Sequence, residues 1–244
     1  MKTENKATVT TILMVAAIML FAANFATAEP AAPESLTEVA SSSRDLSELS
    51  AQSLEARGGN VTEVNINALS ITQSWQGLYG DISGEITLDD GSNNTFYNWS
   101  TTSVSGQVYA TRASSITWSN VNCSTAVNIT SEETYLGHVA ADGDSVTNTY
   151  SLTTHPGFNV TTGAEIFTDT CPSTNAFTNN ASQSADWVQV LLHDQTDNVV
   201  YSTLINDSTT GFNSNTYDFQ LLVGENEHTG NIGTTTYYVW VQLE

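Results

Sequence analysis

Between Asp186 and His193 apolar side chains occupy both faces of an alternating run. Val188, Val190 and Leu192 lie on one face, Trp187 and Leu191 on the other. A strand with that pattern must be buried on both sides, so it belongs at the centre of a sheet or beneath another layer. The terminal run Tyr237–Leu243 has the same two-faced character. Between them, the turn Asp194–Asn198 leads into Val199, Val200, Tyr201, Leu204 and Ile205, the second half of a hairpin, and Tyr217, Phe219, Leu221 and Val223 alternate cleanly. Upstream, period-two patterning recurs at Ile82, Gly84, Ile86 and Leu88 (closed by Asp89-Asp90-Gly91), at Val108 and Ala110, at Ile116 and Trp118, at Tyr150 and Leu152, and at Phe158 and Val160. Many short strands separated by Gly, Asn and Asp turns predict an all-β fold, an antiparallel β-sandwich of Ig-like or jelly-roll-like type. It is expected over residues 60–244, with no internal repeat, and that length can enclose a real core.

The N-terminal part reads differently. Met1–Lys6 is a short charged region, Ile12–Phe25 is apolar, and Ala26-Thr27-Ala28 is a small-residue cleavage site before Glu29. This order predicts a secretory signal peptide over 1–28. The apolar run falls short of the roughly 20 residues a membrane span requires. Residues 29–59 are expected to form a linker and helical arm. Glu29-Pro-Ala-Ala-Pro-Glu34 is stiff, Ser35-Leu36-Thr37-Glu38 is a capping box, and Arg57-Gly58-Gly59 carries stop signals, so a helix is predicted over roughly 35–57. Its apolar stripe is thin and rich in serine, which suits a stalk, a partner-binding arm or a propeptide better than a core element. In the next stretch Val64, Ile66 and Ala68 alternate before the phase slips to Leu69 and Ile71, predicting a long first strand with a bulge.

Charge restricts the partners. After Lys6 there is no lysine; loss of the signal removes Lys2, Lys6 and Glu4 and leaves Arg44, Arg57 and Arg112 against 25 acidic residues, a net charge near −22. Such a surface repels phosphate backbones and anionic lipid, so nucleic-acid binding and membrane-surface binding are not expected. No membrane insertion is expected after signal cleavage.

The two cysteines, Cys123 and Cys171, predict one disulfide in an exported chain. Eight N-x-S/T triplets begin at Asn60, Asn93, Asn98, Asn122, Asn128, Asn159, Asn180 and Asn206. In a chain this rich in Asn, Ser and Thr, chance alone supplies about five such motifs. Alternation of Val127 and Ile129 with Asn128 and Thr130, and of Phe158 and Val160 with Asn159 and Thr161, predicts that Asn128 and Asn159 face solvent on half-buried strands.

Motifs for chemistry are sparse. Asp89-Asp90-Gly91-Ser92-Asn93 and Asp142-Gly143-Asp144-Ser145 look like fragments of calcium loops, but neither completes the pattern, and ordinary Asx turns account for both. Glu85, Glu132, Glu133 and Glu165 are the acids outside obvious turns, and no spacing pairs two of them as a glycosidase would require. His138, His155, His193 and His228 are scattered without a zinc-binding spacing. Trp75, Trp99, Trp118, Trp187 and Trp240 suit a core more than a sugar-stacking platform. No catalytic residue, metal or cofactor is therefore expected, and enzymatic activity is not.

The passage Ser74-Trp75-Gln76-Gly77-Leu78-Tyr79-Gly80-Asp81-Ile82-Ser83-Gly84 resembles one in secreted archaeal cell-envelope and filament-type β-sandwich proteins. So do Tyr217–Val223 and Thr235–Val241. The resemblance implies an archaeal surface or filament protein that carries glycans, and it brings no catalytic residues. The expectation is an extracellular structural subunit of a filament, pilus, sheath or coat. It would assemble with itself or with other envelope proteins, through the arm or through a subunit-joining strand containing Val61, Val64, Ile66, Leu69 and Ile71. The alternative is a secreted carbohydrate-binding or adhesion module whose partners are glycans.

Overall fold

The computed structural model describes residues 29–44, 50–100, 103–160, 166–167, 169–194, 196–226 and 234–243. The expected signal peptide lies outside these residues. The chain is predominantly β, with antiparallel sheets. Its strands are β1 (Trp75–Gly80), β2 (Glu85–Asp89), β3 (Thr95–Ser100), β4 (Gly106–Thr111), β5 (Asn122–Cys123), β6 (Phe158–Asn159) and β7 (Ile166–Phe167). They continue with β8 (Ser173–Thr178), β9 (Ser182–His193), β10 (Val199–Leu204), β11 (Thr209–Thr210), β12 (Thr216–Tyr217), β13 (Phe219–Gly224) and β14 (Tyr238–Leu243).

The main sheet runs in the order β14-β4-β10-β9-β5, with β8 also paired to β9. β9 is central, as its two-faced pattern requires, and Trp187 to Leu192 are all buried. β5 and β8 lie end to end along one edge of β9. Leu191 joins them: its C=O accepts from the Ser124 N–H, and its N–H donates to the Pro172 C=O. The Cys123–Cys171 disulfide closes that junction, since the two cysteines flank the place where the strands meet.

One face of the sheet contributes Val108, Ala110, Leu191, Val199 and Tyr201 to a core completed by Leu221 and Val223 of β13. β13 pairs with β1 in a separate two-stranded sheet over that face. The opposite face packs Tyr109, Val190, Leu192 and Val200 against Trp118, Val121 and Val160. Gly106 allows β14 to approach β4: its φ of 129° is open to glycine, and a Cβ there would collide with the Gln242 carbonyl.

Three expectations require correction. Residues 126–136 form helix α1 (Ala126–Leu136), not a strand. Thr125 caps it reciprocally with Asn128, and Gly137 ends it in the left-handed region. The helical period then buries Asn128, Ile129, Glu132, Glu133 and Leu136. A second, short helix α2 (Val146–Thr149) follows, capped by Ser145. The predicted helix over 35–57 is absent from its described residues, which are irregular and exposed; residues 45–49 lie outside the description. A thin serine-rich stripe has too little to pack against, and most helical stability in proteins comes from packing. The long first strand is likewise not formed in the isolated chain: residues 61–72 belong to no ladder.

Tyr150 and Tyr201 are fully buried, and burial raises both phenols well above their usual range, Glu132 adding to the effect at Tyr201. Unfolded tyrosines lose their protons near pH 10 while these keep theirs, so the native state is favoured below that pH and loses ground above it. Unfolding free energy should fall by up to about 3 kcal/mol per pH unit above pH 10, two protons at roughly 1.4 kcal/mol each. Urea titrations from pH 9 to 11.5 measure the slope; a flat profile would contradict this packing. The disulfide spans a sequence separation of 48. Reduction should cost about 4 kcal/mol by the loop-entropy argument. Denaturation midpoints with and without reductant test that loss.

Candidate interaction surface

The residues proposed for chemistry are held in structural contacts. Glu132 is buried on α1 and pairs with Arg112. Its Oε1 also accepts from the Tyr201 hydroxyl at 3.0 Å and from Arg112 Nε at 3.3 Å. The Arg112 guanidinium in turn lies 3.5 Å from the Tyr135 ring centroid, a cation–π contact. Glu133 accepts from the Thr147 N–H at 2.7 Å and so joins α1 to α2. Glu85 accepts from Asn98 on the neighbouring strand. Glu165 lies outside the described residues.

His155 Nε2 accepts the backbone N–H groups of Thr170 and Cys171, while Nδ1 faces the Pro156 carbonyl at 2.8 Å. The ring thus braces the loop that carries the second cysteine. His138 Nε2 contacts the Glu225 carbonyl, His193 stands at the end of β9, and His228 lies outside the described residues. The first acidic turn has Asx geometry: Asp90 accepts from the Ser92 and Asn94 backbone, with Asn93 at φ 63°. The second does not: it closes through the Asp142 carbonyl, which accepts from the Ser145 N–H, while the Asp144 side chain accepts from the distant Thr72. Among the described residues no group of three or more His, Cys, Asp or Glu side chains gathers as a metal site.

A cavity of about 490 Å³ opens among Asp81, Gly84, Val104, Asp207 and Asp218. The Asp218 carboxylate is engaged there by the Ile82 and Ser208 N–H groups, at 2.7 and 2.8 Å. It ties β1 to the loop after β10.

The exposed apolar residues make a different surface. Among the described residues, β2 and β3 form a ribbon paired only with each other. Ile86 opposes Trp99 and Leu88 opposes Tyr97, so one ribbon face is apolar. The Tyr97 and Trp99 rings lie 4.7 Å apart, and all four side chains are exposed, as is Phe96 at 83%. Trp187 and Trp118 are buried and Trp75 and Trp240 half-buried, so Trp99 alone of the five stands open to solvent.

The second exposed set is the arm. Ala31 exchanges two 2.9 Å backbone hydrogen bonds with Val241 of β14. The chain is then exposed through residues 34–44 and 50–73, and it rejoins the body where Ser74 accepts from the Glu225 N–H. Val61, Val64, Ile66, Leu69 and Ile71 are all exposed, Ile66 at 85%. Among the described residues, 61–71 make no hydrogen bond to the body.

The sequon asparagines separate. Asn60, Asn93, Asn98, Asn122 and Asn180 are exposed, and Asn206 is half-buried, donating to the Asp186 carbonyl. Asn159 lies on β6 as expected. Asn128 is a correction: it is 2% exposed on α1, and its amide donates to Asp197 at 2.9 Å. The Thr125-x-x-Asn128 cap and Gly137 are the sequence signals that mark this helix. The apparent alternation that masks them spans only four residues, Val127–Thr130.

No protein-family model, no curated protein and no solved structure matches this chain. Among the described residues no helix is long and apolar enough to cross a membrane.

Replacing Glu132 with Ala should leave Arg112 and the Tyr201 hydroxyl without their shared partner. The expected loss is about 3–5 kcal/mol, as for other broken buried pairs. Urea unfolding measures it; a cost below 1 kcal/mol would mean that this network does not hold α1 to the sheet.

Proposed function

We propose that this chain is an extracellular structural subunit, a β-sandwich that joins copies of itself into a surface filament, pilus, sheath or coat. Joining proceeds by strand addition or arm exchange. The observation that carries this reading is the arm. An alternating apolar segment, Val61–Thr72, is exposed along its length and, among the described residues, makes no hydrogen bond to the body before Thr72. An extended segment with unused backbone groups and periodic apolar side chains is what strand addition requires of a donor. The signal-like N-terminus and the disulfide support an oxidising, external location. The exposed sequons, Asn60, Asn93, Asn98, Asn122 and Asn180, are the acceptors to which glycans would be attached on such a surface. The resemblance noted above is the support for an archaeal source. Other envelope proteins are the alternative partners.

A second reading rests on the ribbon. Tyr97 and Trp99 share an exposed face, as the aromatic platform of a carbohydrate-binding or adhesion module would.

Deleting residues 29–72 should leave a body that folds but does not polymerise. Negative-stain electron microscopy of native material, with mass spectrometry to identify its main chain, provides the comparison. Normal fibres from the deletion variant would remove the arm from the mechanism. Discrete monomers from the intact protein would favour the carbohydrate reading, which requires a glycan to change the fluorescence of Trp99.

A further inference from the structure

The structure assigns the acceptor for that donor: we infer that the free edge of β14 receives Val61–Thr72 of a second copy. This rests on the strand-addition reading above.

β14 has the sequence of a central strand and the position of an edge strand. Val239, Val241 and Leu243 point to one core and Trp240 to the other. Yet, among the described residues, β14 pairs with β4 on one side and meets only Ala31 on the other. Those β14 residues are merely half-buried. A long, apolar, uncharged edge is an aggregation hazard in a secreted chain unless something covers it.

Ala31 shows which backbone groups face outward. Because Val241 gives both its N–H and its C=O to Ala31, alternation in an antiparallel ladder directs the groups of Val239 and Leu243 the same way. Tyr238, Trp240 and Gln242 then serve β4. The Ala31 pairing is a single bridge, so a strand of several residues displaces it readily.

Length and charge fit the donor to this edge. Twelve residues at about 3.3 Å each reach about 40 Å, twice the length of β14. Beside Leu243, the last described residue of β14, the chain turns into the ribbon: a Cβ at Gly84 would collide with the Leu243 side chain. A donor longer than β14 can therefore continue toward the apolar ribbon face. Between Val61 and Thr72 the only charged residue is Glu63, and β14 has none. A chain with net charge near −22 can bring two copies together only where both surfaces are nearly uncharged.

The test is Val239→Pro in the full-length protein. Proline removes an outward N–H and blocks strand addition, while the β4 ladder, which does not use that N–H, is retained. The variant should keep the wild-type circular dichroism and lose at least tenfold in fibre yield. A synthetic Val61–Thr72 peptide, added in excess to wild-type seeds, should slow elongation; a scrambled peptide should not. Normal fibres from V239P together with no peptide effect would overturn the acceptor while leaving the filament reading intact. If the wild type gives only monomers, the filament reading falls. Hydrogen exchange at Val239 and Leu243 then decides the edge: protection by the peptide supports it, and its absence overturns it. The same exchange measurement decides the matter if V239P fails to fold.

Discussion

Leu191 donates its N–H to Pro172 and accepts from Ser124 through its C=O, so one residue of β9 ends one neighbouring strand and starts another. Everything around that point depends on it. β5 and β8 can share an edge of β9 only if their ends stay together, and the Cys123–Cys171 bridge holds them at that level. His155 then takes the Thr170 and Cys171 N–H groups, and the Cys171 one would otherwise be left unpaired in a buried place. The other edge of β9 carries β10 in continuous register, and β10 passes that order to β4. The sheet is therefore rigid around β9.

That rigidity ends at β14. The arm has one bridge to it, and the body beneath is already packed. The molecule thus combines a packed interior with two exposed apolar elements, the arm and the ribbon. A monomer gains nothing from either: both leave apolar area in water, and burial of that area is the main favourable term in association. The interior, by contrast, uses its few charges economically. Arg112, the single basic residue after Arg57 apart from histidine, is spent on Glu132 and the Tyr135 ring.

Much of the β architecture is legible in local pattern. Trp187 to Leu192 read as doubly buried and are, and the Asp194–Asn198 turn does connect β9 to β10. β14 takes the other branch of the same rule: its two apolar faces meet the two cores, while in the sheet it lies at an edge. Val127–Thr130 shows the limit of a short alternation. Four residues fit a period of two or of 3.6 almost equally well, and the cap at Thr125 with the stop at Gly137 decided for helix. The capping box at Ser35 failed in the opposite sense. Caps favour a helix only where a packed face supports it, and Leu36, Val39 and Leu54 have no surface to meet. Of the candidate surface, the apolar alternation of 61–72 was visible in advance, whereas the ribbon face appeared only once Ile86 stood opposite Trp99.

The sequence by itself determined the strand-rich character, the disulfide and the acidity, because alternation, cysteine number and charge are local or additive properties. Tertiary structure alone decided that Glu132 is a buried anchor and that Asn128 is enclosed. It also decided that β14 stands at an edge of the sheet, with β4 on one side and the Ala31 bridge on the other. These depend on which distant segments meet, and neither periodicity nor composition encodes the partner of an edge.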